Sequence, residues 1–189
     1  MRIHGSLRLA GVACAAALLL AACSTLNVVS EGGDSNLMLH GNDPVAYFTA
    51  GSAVPGRTDI KTKHRSATYR FASDENRRQF ITNPDRYAPQ FGGFSAQAMA
   101  YAVPVPADAG TFKIIDGKLY LFENPRAKLY FEMDQERNLR LANQYWETEA
   151  QNAPNWQLQS WRRLLWRVPG YKSHSELAEE YEKRFGRRP

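Results

Sequence analysis

Both cysteines of this 189-residue chain, Cys14 and Cys23, lie within its first 23 residues. From Ser24 onward there is no thiol. That part of the chain can form no internal disulfide, Cys-based zinc site or iron–sulfur cluster, and it has no cysteine nucleophile. Its fold must therefore rest on core burial and hydrogen bonds. A hydrophobic content of 43%, with 12% aromatic residues, is enough for a core and excludes a fully disordered chain. The length suits one domain with an extension.

The first of those cysteines falls inside a segment that reads as an address. Met1–Arg8 carries Arg2 and Arg8 and no acid, and Leu9–Ala22 is an unbroken run of small and apolar residues. The run is shorter than the roughly 20 residues a membrane-spanning helix needs. A positive start before a short apolar run is the pattern of a secretory signal peptide, here residues 1–22. The run ends Leu20-Ala21-Ala22-Cys23, which resembles a bacterial lipobox. The resemblance implies cleavage before Cys23, a diacylglyceryl thioether on its sulfur and an acylated (palmitate-type) new N-terminus. Two or more acyl chains anchor stably where one does not. Ser24 follows the cysteine, and by analogy with lipoprotein sorting a residue other than Asp there implies the outer membrane of a Gram-negative cell, facing the periplasm. Residues 23–36 (TLNVVSEGGDSN after Cys23-Ser24) are rich in Gly, Ser, Asn and Asp and read as a lipidated flexible tether.

The body of the chain shows no internal repeat. Ala67–Phe71 alternates β-branched and aromatic residues, as a strand does. Ser73 is placed to cap a helix running to Thr82, with Asp74 and Glu75 in its first turn and Pro84 stopping it. Gly92-Gly93 marks a turn, and a short helix is expected over Ser95–Ala100. Thr111–Ile115 and Lys118–Phe122 flank Asp116-Gly117, a strong hairpin signal. Pro125–Thr148 reads as mostly helical, with Met133, Leu139, Ala142, Tyr145 and Trp146 on its core side. Asn155–Arg167 is a further helix candidate. Ser173 and Glu176 have capping-box spacing for a last helix whose Leu177, Tyr181 and Phe185 share one stripe, with Gly186 as its C-cap. Ala50–Arg57 and the basic run Lys61–Arg65, which holds His64, read as solvated loops.

The formal charge is +5. Without Arg2 and Arg8 the chain keeps 22 basic against 19 acidic residues, a balance of +3. Nucleic-acid binding does not follow from so mild an excess.

Three segments together resemble the YHS-domain family of small bacterial proteins: His40–Phe48 (HGNDPVAYF), Tyr69–Asn76 (YRFASDEN) with Phe80, and Pro84–Gly93 (PDRYAPQFGG). Asp116–Phe122, Ala142-Asn143 and Trp146 extend the likeness, which covers Leu37–Trp146. It implies an α+β domain, a small antiparallel sheet with packed helices, over residues 37–148. A C-terminal helical extension would follow over 149–189. Family members are often secreted and have no agreed catalytic activity. Some occur beside heavy-metal transporters and oxygenases, which raises metal binding as an expectation. The family pattern places a cysteine just after the Gly-Gly-aromatic turn, where this chain has Ser95, and glycines where it has Ala98 and Ala102. A neutral hydroxyl is a poor ligand for copper(I) or zinc, so the chain reads as a degenerate member.

Candidate chemistry is sparse. His40, Asp43 and Ser95 are the candidate ligands for a weakly held divalent metal or copper, and His40 with Asp43 could instead bind a small anion beside the Gly41 turn. The alternative is that His40 and Asp43 shape a turn before Pro44. His174 follows Ser173 at a helix start, where capping explains it. The Gly92-Gly93-Phe94-Ser95 turn is not the G-x-S-x-G of a serine hydrolase, nor does it have the lysine of a phosphate loop. In the tail, Trp156, Trp161 and Trp166 lie among Arg162, Arg163 and Arg167. They make either an amphipathic helix for an anionic membrane or protein partner, or one packed on the domain with its arginines over apolar edges. The sequence thus leads to a lipid-anchored, non-catalytic binding module of the envelope with no assigned cofactor, and to a copper- or zinc-binding lipoprotein as the alternative.

Overall fold

A computed structural model describes residues 26–151 and 170–189. The leader through Cys23 and the tail residues Trp156, Trp161, Arg162, Arg163 and Trp166 lie outside the described residues. Among the described residues the fold is α+β, with one sheet of four strands and one of two.

Val28–Glu31 (β1) and Asp34–Met38 (β2) form an antiparallel hairpin where a tether was expected. Gly32 and Gly33 have φ of 57° and 80°. That is the two-residue turn whose twist suits a hairpin, so the glycines close the strands rather than loosen the chain. Arg57–His64 (β3) is a strand instead of loop. It sits at the sheet edge, and its side chains are mostly solvated apart from Ile60, which hides the period-2 signal. Ala67–Phe71 (β4) is the expected strand, buried at every position. The order β1-β2-β4-β3, with β2 parallel to β4, makes the larger sheet mixed rather than wholly antiparallel.

A buried ion pair locks the hairpin to β4. Arg70, 7% exposed, donates from Nε to Asp34 Oδ2 at 2.9 Å and from Nη2 to the Glu31 carbonyl at 2.8 Å. Lys61 Nζ reaches the other Asp34 oxygen at 2.5 Å. Buried charges persist when paired in this way. The chain must pass close to Arg70, and at Gly56 a Cβ would stand 2.6 Å from the Arg70 carbonyl carbon.

Ala46–Thr49 (α1), Asp74–Thr82 (α2) and Pro84–Tyr87 (α3) cover this sheet. Ser73 caps α2 by accepting from the Asn76 N–H at 3.1 Å, as its position implied. Ala96–Met99 (α4) is the expected short helix, capped by Ser95. Asp108–Ile115 (β5) and Lys118–Phe122 (β6) form the second hairpin, with Asp116 and Gly117 at φ of 50° and 70°.

β6 joins the two halves of the core. Its side chains alternate between faces. Leu119 and Leu121 join Met38, Tyr47, Tyr69, Phe71 and Phe80 on one side, and Tyr120 and Phe122 join Phe91, Met99 and Phe131 on the other. The Tyr47 hydroxyl ties α1 to β5 by donating to the Ala109 carbonyl at 2.8 Å.

The long helical stretch is two helices, Pro125–Met133 (α5) and Gln135–Tyr145 (α6), the second continuing through a wide turn over Trp146–Ala150. Asp134 breaks it with φ −141° and ψ 56°. Asn138 Nδ2 donates to the Phe131 carbonyl left free there, at 3.0 Å. Of the expected core residues in this stretch Ala142 is fully buried; Met133, Leu139, Tyr145 and Trp146 are half-buried. His174–Phe185 (α7) carries the capping box of Ser173 and Glu176 and ends at Gly186, φ 68°. It docks on Tyr130 through Leu177 and Tyr181, while Phe185 is 54% exposed. Among the described residues no helix is long and apolar enough to cross a membrane.

Candidate functional site

The loop before α1 brings together the first two segments of the resemblance. Leu39, His40 and Gly41 take left-handed φ of 59°, 51° and 77°, and the chain then turns Asp43 inward. Asp43 is 0% exposed. Its Oδ1 accepts from the Val45 N–H at 2.8 Å. Its Oδ2 accepts from the Ala72 N–H at 2.8 Å and from Asn76 Nδ2 at 2.7 Å. Three of the roughly four acceptor positions of the carboxylate are thus filled by donors of the chain. His40 is exposed on the outside of the same loop.

Ser95 is 0% exposed, and its hydroxyl donates to Glu123 Oε2. His174 Nε2 lies 3.8 Å from the other Glu123 oxygen, Oε1. A serine hydrolase relay needs the imidazole against the hydroxyl. Here the carboxylate stands between them, and the hydroxyl is sealed from solvent. His174 and Tyr130 also line a groove of about 600 Å³ between α5 and α7.

The three candidate metal ligands are therefore engaged separately: Asp43 with α2, Ser95 with the end of β6, and His40 at the surface. Among the described residues, no group of three or more His, Cys, Asp or Glu side chains is arranged to hold a metal ion. His64, expected in a solvated loop, ends β3. Its ring lies edge-on to Phe80 at 5.9 Å, and its Nε2 is 3.3 Å from Asp85 Oδ1.

The third segment of the resemblance forms one wall of a cleft of about 280 Å³. At its base Phe91 and Gly92 both adopt left-handed backbone, φ 54° and 59°. For a bulky residue such as Phe this conformation is uncommon, and such strain tends to collect at binding and catalytic sites. Two bonds from Asn27, just before β1, hold the turn: the Asn27 N–H donates to the Gly92 carbonyl at 2.8 Å, and Asn27 Nδ2 to the Gly93 carbonyl at 2.9 Å. Gly93 has φ 84°, and a Cβ there would meet Met38 Sδ at 2.9 Å. The glycine pair thus serves a close approach of two backbones.

The other walls come from β4, β6 and the end of α6. Trp146 stands 6.1 Å from Phe91, ring to ring, and Leu26, Met38, Tyr69 and Pro89 add to the apolar lining. Charge enters at two points. Arg65 Nη2 pairs with Asp85 Oδ1 at 2.9 Å, an oxygen that His64 also approaches. Lys118, the first residue of β6, lines the cleft and has no acidic partner among the described residues. Sequence reasoning placed Trp146, the Pro84–Gly93 turn and Asp116–Phe122 with Lys118 within the resemblance but did not bring them together as one cleft.

No family model, curated protein or solved structure matches this chain.

Proposed function

We propose that the chain is a non-catalytic, small-molecule-binding module of the cell envelope. In this reading it is built on a degenerate YHS-like scaffold and anchored through lipid on Cys23, facing the periplasm from the outer membrane. The observation that carries the binding role is the strained Phe91-Gly92 turn set against the half-buried Trp146 at the wall of one cleft. An apolar, aromatic concavity with a few polar groups is what ligand sites share.

The anchor and the cleft are linked by distance. Leu26 lines the cleft and follows Cys23 by three residues, a span of at most about 10 Å. A lipid on Cys23 therefore holds the cleft close to the bilayer surface, and the ligand is met at or near that surface.

The experiment purifies the protein from its native membrane and applies native mass spectrometry to it and to Trp146→Ala. A small molecule carried by the natural protein and absent from the variant supports the role; the same bound mass in both removes the cleft from it. Palmitate labelling that disappears in Cys23→Ser tests the anchor independently.

A further inference from the structure

We infer that the cleft takes a small aromatic monoanion, its ring against Trp146 and Phe91 and its carboxylate on Lys118. The inference rests on the cleft being the binding site and adds the class of ligand.

Size sets the first limit. A volume of about 280 Å³ lies just under the common range of ligand cavities, about 300–1,000 Å³. It matches the liquid volume of about nine waters. One or two fused rings with a single acid group fill such a space.

Charge sets the second. The acidic group at the wall, Asp85, already faces Arg65 at 2.9 Å and His64 at 3.3 Å. A cationic ligand would have to displace them and would still face Lys118. Arg65 is committed to Asp85. Lys118 is left as the lining cation without an acidic partner among the described residues. A single ammonium is a compact point charge suited to one carboxylate. Phosphate and other dianions call for several donors or a planar guanidinium fork, and among the described residues the lining offers one lysine without an acidic partner.

The lining sets the third. Phe91 and Trp146 lie 60° apart in plane with centroids 6.1 Å apart. A flat ring can stack on one and meet the other near its edge, the arrangements aromatic pairs favour. Leu26 and Pro89 add apolar wall.

The test uses the full chain in a non-ionic detergent, labelled with ¹⁵N, and two probes of the same shape: 2-naphthoate and neutral 2-naphthamide. Affinities come from backbone and indole shifts. Naphthoate is expected to bind at least tenfold more tightly than naphthamide, with shifts at Phe91, Gly92 and Trp146. Lys118→Gln, a change at an exposed position, should bring naphthoate to the level of naphthamide and leave naphthamide unchanged. Equal binding of both probes at those residues, unaffected by the variant, would overturn the anion assignment while leaving the cleft as a site. Shifts confined to other regions, or none with either probe, would overturn both.

Discussion

Asp43 accepts a hydrogen bond of 2.7 Å from the side chain of Asn76, across 33 residues of sequence. With the Ala72 N–H on the same oxygen, that bond fixes the loop before α1 to the N-terminus of α2. His40–Phe48 and Tyr69–Asn76 are thereby joined at one buried carboxylate.

Removing that carboxylate should be costly. Asp43→Ala would leave the Val45 and Ala72 N–H groups and the Asn76 amide without their acceptor. Hydrogen bonds to a charged group contribute about 1.5–3 kcal/mol each and do not add fully. We expect a loss of about 3–5 kcal/mol in urea unfolding for Asp43→Ala and about 1–3 kcal/mol for Asn76→Ala. An Asp43→Ala protein of unchanged stability would show that the carboxylate serves something other than the fold.

Asp34 predicts an acid limit to stability. Hydrogen bonds from Lys61 and then Arg70 hold its carboxyl below the usual carboxylate range. Near pH 4 the unfolded chain takes up a proton at this position that the folded chain does not. The contribution is therefore fully present above about pH 4, the ordinary Asp range, and is lost as the pH falls through the lowered folded value. The urea midpoint of the natural protein should drop over that window more steeply than that of Asp34→Asn. Parallel pH profiles for the two would contradict the role of the buried pair.

The β1–β2 hairpin is part of the larger sheet and should contribute to its stability. A chain starting at Leu37 lacks Asp34, all of β1 and the first three residues of β2, and it leaves Arg70 without its partner. It should have a lower unfolding midpoint than a chain starting at Ser24. Equal midpoints would mean that the hairpin is an accessory.

These cases mark how far the fold was legible in the residues alone. Ser73 before α2, Asp116-Gly117 between β5 and β6, and Ser173 with Glu176 before α7 are local signals, each complete within four residues, and all three formed as read. β3 was missed because Arg57–His64 is an edge strand with Ile60 as its buried residue. Gly32-Gly33 is ambiguous in isolation: the same pair loosens a linker or closes a hairpin, and the partner strand decides. The break at Asp134 carries no proline or glycine, and tertiary contacts such as Arg184 bonding to Asp134 at 3.1 and 3.2 Å hold it. For the site, the sequence pointed to His40, Asp43 and Ser95, which the fold engages separately, and it read Trp146 as a core residue and Gly92-Gly93 as a turn rather than as parts of a cleft. The pairing of Arg65 with Asp85, which leaves Lys118 free among the described residues, joins distant segments and could be seen only in three dimensions.

Gly93 tests whether the cleft depends on its backbone turn. Gly93→Ala places a Cβ 2.9 Å from Met38 Sδ at a φ of 84°. Strain of this kind costs about 1–3 kcal/mol. The variant should lose about that much stability in urea unfolding and should also lose ligand binding at Trp146. Binding retained at full strength would mean that the turn does not shape the site.

The most direct test of the account is to map fragment binding on the full ¹⁵N-labelled chain, using a set of small aromatic acids, amides and amines chosen without regard to the proposed class. The account predicts that the tightest binders shift Phe91, Gly92, Lys118 and Trp146 together. Binders that gather instead on the His40–Asp43 loop, or in the groove of Tyr130 and His174, would contradict it.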